Sequence, residues 1–148
     1  MKIVQETIDL LHKFEALRLN AYLCPAGVPT IGWGNTFYEN GRKVMLGESI
    51  TKARADELFS NILNEFQKSV RKKVSVKLND NQFSALVSFA YNVGMGNFRN
   101  STLLRKVNAN PNDTSIANEF KRWNKSNGRV LNGLKRRRKA ESELYFKK

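Results

Sequence analysis

One cysteine, Cys24, and one histidine, His12, are all that the chain offers toward disulfide pairing or soft-metal chemistry. A lone cysteine closes no internal disulfide, so the fold does not depend on oxidation. A single imidazole, with no carboxylate cluster around it in sequence, excludes a dedicated zinc site from the expectations. His12 falls off the main apolar stripe of its segment and is expected at the surface. No G-x-x-x-x-G-K-[ST] loop is present to cradle a nucleotide. Nor does any run approach the roughly 20 apolar residues of a membrane span. The opening segment MKIVQETIDLLHKFE breaks its apolar positions with acidic and polar ones, and so predicts an amphipathic helix and no signal peptide. Acidic residues are the other scarcity: 13 against 26 basic ones, for a net charge of +13.

What is present suits one compact domain: 148 residues, 41% of them hydrophobic. The positive charge is concentrated toward the C-terminus, where KRRRK runs from Lys135 to Lys139. Such a field attracts polyanions, including nucleic acid, anionic envelope polymers and anionic lipid. A nucleic-acid-binding module is therefore one reading of the chain. It lacks an aromatic RNA-recognition signature and a zinc finger, and it leaves the N-terminal third unexplained.

The periodicity of Ile3, Val4, Thr7, Ile8, Leu10, Leu11 and Phe14 predicts a short helix over 3–14, with Glu15 at its end. The helical period then disappears until about Leu46. Glycines, aromatics and β-branched residues alternate there, predicting two or three short strands, with a hairpin turn at Asn40-Gly41. Thr51 caps a long helix running to about Val74. Asn79 and Gln82 have capping-box spacing, flanked by Leu78 and Phe83 as a hydrophobic staple, and Gly94 is placed as that helix's stop. Further helices are expected from Ser101 to Val107, from Thr114 or Ser115 to about Trp123, and over GLKRRRKAESELYF. The fold class is thus α+β and mostly helical. The division is a small β lobe over about 15–50, a connecting helix over about 51–74, and a helical lobe of about 75–148 joined by helix 3–14.

Bond-making chemistry falls to carboxylates, hydroxyls and the one thiol. Glu15 is distinctive, ending a helix beside apolar residues and directly preceding a glycine-rich turn region, where a carboxyl suits general-acid work. The stretch CPAGVPTIGWGNT, Cys24 to Thr36, holds three glycines and two of the three prolines. Its glycines permit tight turns and close backbone approach to a ligand, and its prolines limit the loop's freedom.

FEALRLNAYLCPAGVPTIGWGNT resembles the signature of the phage-type lysozymes, glycoside hydrolase family twenty-four. LNDNQFSALVSFAYNVGMGNFRNSTLLRKVN is similar to the family's central helical block, EFKRWN to its tryptophan helix, and VLNGLKRRRKAESELYF to its closing helix. The resemblance spans nearly the whole chain, in order. It implies a two-lobed fold with a substrate cleft between the lobes. It also implies hydrolysis, with inversion, of the bond between N-acetylmuramic acid and N-acetylglucosamine in peptidoglycan. In this likeness Glu15 matches the catalytic acid and Thr30 the threonine that helps hold the attacking water. Cys24 stands where many relatives have aspartate, Ala16 where glycine is usual, and Asn35 where histidine is usual. The thiol at 24 admits three readings: a thiolate replacing the carboxylate, a neutral spectator, or the mark of an impaired enzyme kept as a peptidoglycan-binding fold.

Tyr22, Gly32, Trp33 and Phe98 are candidates for lining sugar subsites, and Arg137 or Arg138 for pairing with the acid. No metal and no cofactor are implied. The expected partners are peptidoglycan and, by charge, anionic envelope polymers, with no specific nucleic acid. A monomer is expected in the host cytoplasm, released to the wall by a separate holin-type permeabilising protein.

Overall fold

The computed structural model describes residues 1–148. The protein is mostly helical α+β, with seven helices and two small antiparallel sheets. Two compact units divide the chain: residues 11–65 form one, and residues 1–10 with 66–148 form the other. No helix is long and apolar enough to cross a membrane.

The unit of residues 11–65 begins within helix α1 (Gln5–Phe14). Strands β1 (Arg18–Leu23) and β2 (Pro29–Gly32) then pair antiparallel, with Tyr22 opposite Thr30 and Leu23 opposite Pro29. The register shifts between Arg18 and Tyr22. There β1 turns its backbone to a third segment: Ala21 N donates to Glu48 O, and Ile50 N to Leu19 O. The turn predicted at Asn40-Gly41 forms, with Gly41 N donating to Tyr38 O and a bridge between Phe37 and Lys43. Helix α2 (Lys52–Lys73) opens with Arg54 N bound to the Thr51 hydroxyl, as its cap position predicted. Its Ala55, Leu58, Phe59, Ile62 and Leu63, together with Leu11, Ile31 and Val44, make the core of this unit. Each large apolar side chain so buried contributes about 1.5–3 kcal/mol.

The helical unit is organised around α3 (Asp80–Val93). Asn79 and Gln82 form the reciprocal capping box, and Gly94 ends the helix. Residues 82–91 are buried without a break, which identifies α3 as the central helix of this unit. Around it follow α4 (Met95–Arg99), α5 (Thr102–Ala109, capped by Ser101), α6 (Ile116–Lys121) and α7 (Asn132–Tyr145). Phe89 is the hub of the aromatic core, edge-on to Phe98, Phe120 and Trp123. The expected helix ending near Trp123 stops at Lys121. A two-residue hairpin follows, β3 (Lys125–Ser126) with β4 (Arg129–Val130).

Buried charge is concentrated on α7. Glu141 is fully enclosed and accepts from Ser88 Oγ at 2.6 Å, while Arg137 Nε and Arg138 Nε lie 3.3 and 3.0 Å from its two oxygens. Arg137 also donates to Ser88 O, and Arg138 to Asn92 Oδ1, fixing α7 against α3.

Candidate active site

Helix α1 delivers Glu15 one residue beyond its last turn, with the Glu15 amide still donating to Leu11 O at 2.7 Å. The side chain then lies directly over Gly34. A Cβ built on Gly34 would collide with the Glu15 carboxyl and stand 3.2 Å from its Cγ. Gly34 also has φ +78, a left-handed conformation that side-chain-bearing residues disfavour. The close approach expected of this glycine is therefore made to the candidate acid, which occupies the space a side chain would fill.

The turn carrying Gly34 is braced from two helices. Trp33 stacks on His12 of α1 with ring centroids 3.9 Å apart, meets the edge of Phe59 of α2, and donates its indole N–H to Asp56 Oδ1 at 2.9 Å. Asp56 is in turn held by Lys52 at 2.8 Å, and the hydrogen bonds from Lys52 and Trp33 keep its carboxyl below the usual range. His12 is thus not the solvated surface residue expected: half-buried, it lies between Trp33 and Phe59. The backbones of Ile31 and Asn35 exchange both hydrogen bonds at 2.9 Å, closing the tight loop that turns at Gly32 and Gly34.

Across the β1–β2 ribbon, Tyr22 faces Thr30. Burial raises the Tyr22 phenol above its ordinary value. The charges of Glu15 and Cys24 push the same way and Arg18 opposes them, so all three lie within electrostatic reach of its hydroxyl. The Arg18 guanidinium sits over the Tyr22 ring at 4.5 Å. Tyr22 therefore stays protonated at neutral pH, within electrostatic reach of Glu15. Cys24 opens the connecting turn, its amide bonded to Val28 O and its carbonyl accepting from Gly27 N. The Thr30 hydroxyl donates to Val28 O at 2.9 Å, which leaves its lone pairs as the remaining polar function. Glu15, Tyr22, Cys24, Thr30 and Gly34 thus belong to one ribbon-and-turn assembly in the unit of residues 11–65.

The structure places the other expected residues as follows. Phe98 is 0% exposed and packs on Phe89 inside the helical unit, so its ring faces no sugar. Gly32 is buried, with Asn35, Ile50 and Ala55 covering the side where a Cβ would point, and its φ of +66 serves the turn. Trp33 gives one ring face to His12 and its N–H to Asp56, which makes it a brace for the turn. Within the helical unit, Arg137 and Arg138 are 2% and 0% exposed, and each reaches one oxygen of Glu141. Sequence reasoning missed His12 and Asp56 as supports. Asp56 carried a legible signal, its four-residue spacing from Lys52 on a helix, but nothing in the sequence tied it to Trp33.

The sequence model of the phage lysozyme family matches residues 12–141. The endolysin of Bacillus phage B103 is 43% identical over 151 residues, covering 99% of this chain and 54% of the relative. This chain thus spans about half the length of the curated relatives it matches first. The endolysin of Salmonella phage P22 is 36% identical, with 99% of each chain covered. Among solved structures, the muramidase domain of SpmX from Asticaccaulis excentricus superposes with a TM-score of 0.81 at 35% identity, over 99% of both chains. With the family model spanning nine-tenths of the residues and the same fold in a solved relative, this chain belongs to the phage lysozyme family.

Proposed function

We propose that the protein is an endolysin-type muramidase that hydrolyses the β-1,4 bond between N-acetylmuramic acid and N-acetylglucosamine in peptidoglycan, with Glu15 as general acid. The observation that carries this reading is the seat of Glu15: its carboxyl rests on the bare Cα of Gly34, on a turn braced by Trp33, His12 and Asp56. An acid that must protonate a glycosidic oxygen gains from being held in one geometry. Tyr22 supplies a protonated phenol within electrostatic reach of it. The Thr30 hydroxyl accepts a hydrogen bond from the attacking water through the lone pairs its bond to Val28 leaves over, and so orients it, while Cys24, which opens the connecting turn, replaces a second carboxylate.

Inversion at the anomeric carbon follows from water, and not the protein, forming the new bond. The peptidoglycan-binding alternative keeps the fold but needs no preorganised acid, and the Gly34 seat favours the enzyme. Passage from a host cytoplasm to the wall falls in this reading to a separate holin-type permeabilising protein.

The test is digestion of purified peptidoglycan by the native protein and by Glu15→Gln, with products separated by mass. Reducing-end muropeptides from the native protein and a loss of at least about a hundredfold in the variant establish the reaction and its acid. Intact glycan with both, or equal turnover, overturns the assignment. Cys24→Asp retaining activity while Cys24→Ala loses it would give the thiol the carboxylate's part.

A further inference from the structure

Two hollows in the protein are lined by arginine, and their charge balance differs. The first, about 510 Å³ in the unit of residues 11–65, is bordered by Tyr38, Arg42, Glu48 and Arg54 among others. Its cations are matched: Arg54 pairs with Glu39 and Glu57, and Arg42 with Glu48, at 2.6–2.8 Å. The second, about 300 Å³, lies in the helical unit and is lined by Lys121, Asn124, Lys135, Arg136, Arg138 and Lys139. No carboxylate is among these residues. Arg138 is fully buried and held by Asn92 and Glu141. Lys121, Lys135, Arg136 and Lys139 are exposed and form no ion pair. Around the first hollow the chain supplies counter-charge to its arginines. In the second it leaves four cations around one concavity, an arrangement that focuses the field on an incoming anion.

We propose that this pocket binds the phosphodiesters of a wall-attached polyol-phosphate polymer, and so anchors the enzyme on walls that carry one. The inference rests on the wall-lytic function proposed above. Three observations select this class of ligand. Lys135 and Lys139 sit one helical turn apart on α7, about 6 Å along the axis, a step suited to successive phosphates joined through a short polyol. The charges are arginine and lysine with a side-chain amide, donors only on the charged groups, which match phosphate oxygens. The walls are largely the methylene stems of those side chains, against which a polyol backbone packs. No aromatic ring lines the pocket to stack a base, which disfavours single-stranded nucleic acid. No apolar residue lines it to enter an acyl layer, which disfavours a lipid surface.

The experiment is co-sedimentation of the full chain with purified walls bearing the polymer and with the same walls stripped of it by hydrofluoric acid. The native protein is compared with Lys135→Gln/Lys139→Gln and with Lys72→Gln/Lys77→Gln, an equal charge change on exposed residues away from the pocket. The expected result is binding to intact walls weakened about tenfold by the pocket pair alone, with a shallower salt dependence, and no difference between proteins on stripped walls. Equal losses from both pairs, or undiminished native binding to stripped walls, overturn the proposal. So does displacement from walls by single-stranded DNA or anionic vesicles, at matched phosphate, more effective than by the free polymer. All three proteins are also assayed on polymer-free soluble glycan strands. If the native protein cleaves none, the muramidase reading fails by itself, because the binding comparison needs no turnover.

Discussion

Gly34 shows how much one missing side chain decides. Its hydrogen leaves the space that the Glu15 carboxyl occupies, and its φ of +78 bends the turn that brings it there. Gly34→Ala adds a methyl group where the carboxyl lies, in a conformation that itself costs about 1 kcal/mol for a residue with a Cβ. The acid must move, and a displacement of about 1 Å is enough to cost on the order of a hundredfold in kcat, with KM changing much less. Steady-state kinetics on solubilised peptidoglycan measure this, and a kcat within twofold of native would show that the seat does not matter. The glycine itself was legible in the sequence as part of a turn. That its partner would be Glu15, nineteen positions earlier, was not, because the contact depends on where α1 ends relative to the turn. The same distinction explains Phe98 and Trp33. Both read as aromatics suited to sugars, yet one is fully buried beside Phe89 and the other stacked on His12.

At the scale of elements, local signals were reliable where a side chain bonds its own backbone. The Asn79 capping box and the Thr51 and Ser101 caps all form at the residues that encode them. Asn79→Ala removes the bond to Gln82 N and is expected to cost about 1 kcal/mol, lowering Tm by about 2–4 °C. Because α3 is the central helix of its unit, the loss is global and visible by calorimetry, while activity at room temperature stays unchanged. A Tm shift under half a degree would mean that packing alone fixes the start of α3. The hairpin at 125–130 carried an equally plain signal in Asn127-Gly128, both with positive φ in the structure, but its strands are only two residues each and give no alternation to read. Helix α4, at five residues, is likewise shorter than any periodicity can reveal.

For the whole molecule, the net charge of +13 sets the pH response as well as the partners. Acid stability depends on those carboxylates the fold holds ionised. Glu39 is held down to about 2 from an ordinary 4.5, chiefly by the hydrogen bonds of Arg54, whose two guanidinium nitrogens reach both oxygens at 2.6 and 2.7 Å. Since the ionised form is the one the fold favours, this stabilisation is complete above about pH 4.5 and disappears as the pH falls toward 2. Solvent screening at this partly exposed site limits it to about 1 kcal/mol. Glu39→Gln should therefore lower Tm near neutral pH, and the gap to native should close as the pH approaches about 2 in an unfolding series. A gap independent of pH would mean that the loss comes from packing and not from charge.

The sequence by itself determined the family, the order and caps of the principal helices, the β ribbon, the candidate acid and the clustering of positive charge. Each of these is written in local spacing or composition. Only the tertiary structure decided which groups meet: Glu15 on Gly34, Trp33 between His12 and Asp56, two C-terminal arginines on one buried glutamate, and a basic hollow left without a counter-ion. Such contacts join residues from separate elements, and their geometry is set by where each helix and turn ends in space.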